Sequence, residues 1–158
     1  MLDNRKVIID EECCLNDNSG SEAIVASSAG SVDGVAKVFD TGGGYTSGMI
    51  FCDVSTKTKH TTAVSNSTIA IVLQGSTTST FTASFKLAEV VKFGNVSGTQ
   101  NADTTGSSSA TQDGTGLYRT PFHNDFAGTI LRYLRAYVIC AGTINETDVR
   151  FKMWLSKQ

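Results

Sequence analysis

An antiparallel β-sandwich of about eight strands is the fold class the sequence predicts, because short strand-like segments recur between turn signals. Three observations carry the prediction. Ser and Thr together make up 37 of the 158 residues, beside 15 Gly and a single Pro; Ser, Thr and Gly compete poorly for helix interiors. Short apolar runs are separated by clusters of Gly, Ser, Asn and Asp, the punctuation of strands and turns. Several runs alternate apolar and polar residues with period two, as a half-buried strand requires.

In chain order, residues 5–9 (Arg5 to Ile9) open with a β-prone Val7-Ile8-Ile9. Residues 22–26 and 35–39 are brief apolar patches. After Gly42-Gly43-Gly44, residues 45–54 read as a longer strand. Residues 68–73 are nearly all apolar, the signature of a strand covered on both faces. Phe81, Ala83, Phe85 and Leu87 alternate with Thr82, Ser84 and Lys86. Residues 86–93 have room for two helical turns, but Val90, Val91 and Phe93 favour a strand. Residues 117–122 form another strand, which Pro121 pushes to a sheet edge. Residues 130–140 are the longest candidate. Residues 147–155 close the set, with Val149, Phe151, Met153 and Leu155 on one face and Arg150, Lys152 and Trp154 on the other. The whole chain, 1–158, reads as one sandwich domain. Residues 97–116 interrupt it as a long insertion of small and polar residues with no side chain able to anchor a core, hence a flexible loop or arm.

Formal net charge is −2, with no basic excess of the kind that phosphate neutralisation demands of a nucleic-acid binder. The charge is polarised. Residues 1–20 carry five acids against Arg5 and Lys6, and residues 117–158 carry six bases against three acids. No apolar run approaches the length of a secretory h-region or a membrane span.

Catalytic patterns are missing. His60 and His123, the only two histidines, sit in polar, turn-like contexts, and no G-x-S-x-G elbow supports a nucleophile. Gly42-Gly43-Gly44-Tyr45 lacks the G-K-[ST] ending of a phosphate loop. Cys13 and Cys14 are adjacent, Cys52 and Cys140 are distant, and none has the companion ligands of a zinc site. Reduced thiols packed as small hydrophobes are expected. No cofactor, metal or catalytic residue is therefore expected. Asn16 to Gly20 does not fit the register of an EF-hand loop.

Tyr133, Tyr137 and Trp154, with Arg132, Arg135, Arg150 and Lys152, place aromatic and basic residues together on the last two strands. Trp, Tyr and Arg are the residues that protein interfaces favour. Trp154, Arg132, Arg135, Arg150 and Lys152 are the candidate contact residues.

The order of segments also resembles a known family. Met49-Ile50-Phe51-Cys52 is followed by Ile71-Val72-Leu73-Gln74-Gly75-Ser76 and by the Phe81-to-Leu87 segment. Then comes Ile130-Leu131-Arg132-Tyr133-Leu134-Arg135-Ala136-Tyr137-Val138-Ile139-Cys140-Ala141-Gly142-Thr143, and a final strand from Val149 to Leu155. This resembles the jelly-roll capsid cement (decoration) proteins of tailed bacteriophages, of the Bordetella-phage type. The chain departs from that family in residues 97–116 and around residues 27–34. The resemblance implies a jelly roll without an active site. It implies a homo-oligomer, dimer or trimer, that binds the outer face of the major capsid protein shell and stabilises the phage head. Assembly in the host cytoplasm and a final place on the capsid exterior follow from it, with neither nucleic acid nor membrane as partner. A carbohydrate-binding or adhesin-like sandwich of a phage appendage is the alternative.

Overall fold

A computed structural model describes residues 13–17, 27–57, 68–94, 115–141 and 149–157. The expected segments at 5–9 and 22–26, His60, and residues 97–114 of the polar insertion lie outside these.

The strands form a four-stranded and a five-stranded antiparallel sheet, with eight positions along their main paths. The first sheet has the order β1 (Cys14–Asn16), β13 (Val149–Lys157), β6 (Ser47–Lys57), β9 (Gly116–His123). The second has the order β2 (Ser28–Ala29), β12 (Tyr133–Ala141), β7 (Thr68–Ser76), β8 (Phe85–Gly94), and β5 (Phe39–Asp40) also pairs with β12. Only β7 and β8 are consecutive strands of one sheet; every other step along these eight positions changes sheet. That interleaving is the double Greek key of a jelly roll. Two small hairpins complete it: β3 (Ser31–Val32) with β4 (Val35–Ala36), and β10 (Asp125–Phe126) with β11 (Thr129–Ile130). Their two-residue loops, Asp33-Gly34 and Ala127-Gly128, have positive φ throughout, as a type I′ turn requires.

Alternation decides what each strand buries. Ile50, Cys52, Val54, Phe151, Met153 and Leu155 of the first sheet meet Ile69, Ile71, Leu73, Leu134, Ala136 and Val138 of the second in one core. The near-continuous apolar run of β7 is buried on both faces: Ala70 and Val72, on the side away from the core, are as hidden as Ile69 and Ile71. β9 is an edge strand, so Pro121 removes no interior ladder bond.

The free edge of β12 is closed by short pieces rather than one strand. Asp40 and Phe39 face Tyr133 and Leu134, the amide of Gly30 donates to the Ala136 carbonyl at 3.0 Å, β2 faces Tyr137 and Val138, and the Ser27 hydroxyl accepts from the Cys140 amide at 2.9 Å. Such cover protects an edge that would otherwise template association.

Three expected segments are divided differently in the structure. The alternating segment at 81–87 is not one strand: Phe81 lies in the β7–β8 loop at a φ of 53°, and β8 begins at Phe85 and runs through residues 86–93, as their β-branched and aromatic side chains demand. The candidate at 130–140 is broken: Ile130 belongs to the β10–β11 hairpin, Leu131 and Arg132 lie between strands, and β12 begins at Tyr133. The patch at 35–39 is split between β4 and β5.

Candidate functional site

The solvent face of the first sheet carries an aromatic and cationic row. Register places Arg119 of β9, Phe51 of β6, Trp154 of β13 and Cys14 of β1 side by side across all four strands. Phe51 and Trp154 stack with ring centroids 5.5 Å apart and planes 8° from parallel. The Arg119 guanidinium lies 5.6 Å from the centroid of Phe51, on the β9 side. Phe51 thus lies between the Trp154 ring and the Arg119 guanidinium. Rows above and below add Asp53 opposite Lys152 and Leu117, and Met49 opposite Ser156 and Pro121. Leu117 is exposed, Trp154 and Phe51 partly so. Among the described residues, Arg119, Arg150 and Lys152 stand on this face together with Asp53. Among the described residues the Trp154 Nε1 is buried with no hydrogen-bond partner.

The five candidate contact residues do not share one surface. Trp154, Arg150 and Lys152 alternate outward on β13 of the first sheet. Arg132 and Arg135 lie on or just before β12, in the second sheet, across the core. β12 and β13 are consecutive in sequence but lie in opposite sheets, so proximity in sequence separated these groups rather than joining them. Arg132 is also committed within the fold. Its Nε and Nη2 each donate at 2.8 Å to the two carboxylate oxygens of Asp40. This pair holds the Asp40 carboxyl below the usual carboxylate range, helped by the Gly42 amide. Phe51 and Arg119, which sequence reasoning missed, complete the row. Phe51 was detectable as the outward residue between inward Ile50 and Cys52; its meeting with Trp154 depends on register.

One end of the sandwich is organised by Asn124, which is fully buried. Its Oδ1 accepts from the Thr46 amide at 2.7 Å, and its Nδ2 donates to the carbonyls of Gly44 at 2.8 Å and Leu131 at 3.2 Å. Its own amide donates to Thr46 and its carbonyl accepts from Leu131. One residue therefore ties the loops before β6, after β9 and before β12. Exposed Phe85 and Phe126 stack nearby, 4.6 Å apart.

All four cysteines are free thiols. Cys52 lies fully buried in the core, and burial pushes its pKa up to about 12. Burial also raises those of Cys14 and Cys140. In native protein at pH 8, an alkylating reagent should label Cys140 while leaving Cys52 unmodified, and denaturation without reductant should expose four reactive thiols. Equal labelling rates for Cys52 and Cys140, read by mass spectrometry, would contradict the core described above. Among the described residues no three His, Cys, Asp or Glu side chains gather as a metal site, and no helix is long and apolar enough to cross a membrane.

Comparison with protein-family models and with curated proteins finds no match to this chain.

Proposed function

We propose that the chain is a structural docking protein of a phage head: a homo-oligomeric capsid cement that binds the outer face of the major capsid protein shell. The observation that carries this reading is the Arg119–Phe51–Trp154 row on the solvent face of the first sheet. Trp and Arg dominate the binding energy of protein interfaces, and here they are presented on paired strands, which lose little entropy when a partner settles on them. The jelly roll suits the role, since it also builds viral shells, but it serves lectins and enzymes too, so it does not decide the function. The resemblance in segment order supplies the phage head as the setting.

A glycan-binding platform is the weaker reading of the same face. Sugars stack on an open ring face. Phe51 has Trp154 on one side and Arg119 on the other, so its ring offers only an edge.

The test compares heads with and without the chain. Heads lacking it should rupture at lower temperature or under milder osmotic shock, and added chain should co-sediment with them and restore resistance. Equal resistance, with no co-sedimentation, would overturn the proposal.

A further inference from the structure

The second sheet carries a different feature on its own solvent face, centred on Arg135. Its guanidinium carbon lies 4.1 Å from the centroid of the Phe81 ring and 4.6 Å from that of Tyr137. Its Nε and Nη2 both donate to one oxygen, Gln74 Oε1, at 3.0 and 2.9 Å. Two ring contacts and two hydrogen bonds therefore fix the plane of the group. Phe81 reaches it from a backbone φ of 53°, an uncommon conformation for a bulky residue.

Among the described residues this fixed cation has no counter-charge. No carboxylate approaches it among the described residues, and the only charged neighbour in its cross-strand row, Lys86 beyond Gln74, is already paired with Glu89 at 3.1 Å. Arg132, three residues away, shows the contrasting case, with both oxygens of Asp40 on its fork. Partial burial without a countercharge disfavours the charged form of Arg135. Gln74 occupies the side edge of the guanidinium, so the end edge between Nη1 and Nη2 keeps two parallel N–H donors, the geometry that accepts a carboxylate in bidentate fashion.

We propose that Arg135, held by Phe81, Tyr137 and Gln74, is a receptor for one carboxylate side chain of a protein partner. One uncompensated positive charge matches a monoanionic carboxylate better than a phosphate dianion or a nucleic-acid strand, which recruit several cations. That the carboxylate belongs to a protein rests on the docking reading above; the receptor itself rests on the geometry of Arg135. It lies across the core from the Arg119–Phe51–Trp154 row, so the two sheets present separate contact faces.

The test uses the full chain labelled with ¹⁵N and follows the Arg135 Nε–H resonance at constant ionic strength. The probes are a capped Glu-Glu dipeptide, its Gln-Gln counterpart, inorganic phosphate and a thymidine hexanucleotide. The Glu peptide should shift the resonance saturably and the Gln peptide should not. Arg135→Lys, which keeps the charge and loses the fork, should weaken Glu-peptide binding at least tenfold, read on neighbouring backbone amides. Equal shifts with both peptides, no shift, or unchanged affinity in Arg135→Lys would overturn the proposal. Tighter binding of phosphate or the oligonucleotide would overturn the carboxylate assignment. The wild-type comparison stands even if the variant fails to fold. Peptide binding involves no phage heads, so failure of the cement reading would leave this result intact.

Discussion

Replacing Asn124 with alanine should destabilise the fold by about 3 kcal/mol, because it removes at once the partner of one buried and two partly buried hydrogen bonds, together with the side chain that joins three loops. The Thr46 amide loses the acceptor 2.7 Å away, and the carbonyls of Gly44 and Leu131 lose their donor, inside a site with no exposure at Asn124. For a domain of this size that corresponds to a melting temperature lower by roughly 6–12 °C. Asn124→Asp sharpens the test. It preserves shape and the acceptor for Thr46 but turns the donor end into an acceptor facing two carbonyls, so it should be at least as damaging as alanine. A melting temperature within about 2 °C of wild type for either variant, measured by calorimetry, would remove Asn124 as the organiser of that end.

Gly30→Val should cost a similar amount, about 3 kcal/mol, by overpacking rather than by lost hydrogen bonds. A Cβ at residue 30 would stand 2.6 Å from the Leu15 carbonyl oxygen and 2.8 Å from the Ala136 Cβ. Leu15 belongs to β1 of the first sheet and Ala136 to β12 of the second, so Gly30 sits where the two sheets approach along one side of the sandwich. Neither obstacle is the end of a flexible side chain. Relief requires moving β1 or β12, and the Gly30 amide bond to Ala136 would stretch with them. Gly30→Ala should be milder yet clearly destabilising. A denaturation midpoint for Gly30→Val equal to wild type would show that β1 yields freely and that this side of the sandwich is loosely closed.

The fold was legible where a strand buries a face. Val149, Phe151, Met153 and Leu155 alternate inward as their spacing requires, and the double-sided burial of β7 follows from its unbroken apolar run. The failures came where a residue serves a loop. Phe81 fits the period of the segment after it, but its ring is recruited to Arg135 and its backbone leaves the strand. Arg132 sits in a β-rich stretch, yet it lies between β11 and β12, with its guanidinium paired to Asp40, ninety-two residues earlier. Asn124 follows His123 in a polar, turn-like stretch, and its importance lies in three loops that only the fold assembles. The candidate site was half legible. Trp154, Arg150 and Lys152 lie on one outward face as expected. Their union with Arg132 and Arg135 fails, because β12 and β13, consecutive in sequence, lie in opposite sheets. Phe51 and Arg119 join Trp154 through register, a long-range property that alternation alone does not encode.

The chain's single tryptophan lies in the proposed docking row and reports on it directly. Trp154 emission should be recorded while undecorated heads are titrated into the full chain, alongside co-sedimentation of Trp154→Ala. Docking through this face predicts a blue shift and reduced quenching by acrylamide as the ring edge leaves water. It also predicts at least a thirtyfold loss of affinity for the folded variant, corresponding to about 2 kcal/mol at an interface anchor. Co-sedimentation of the wild-type chain with emission and quenching unchanged, and with Trp154→Ala bound equally well, would contradict docking by the first sheet.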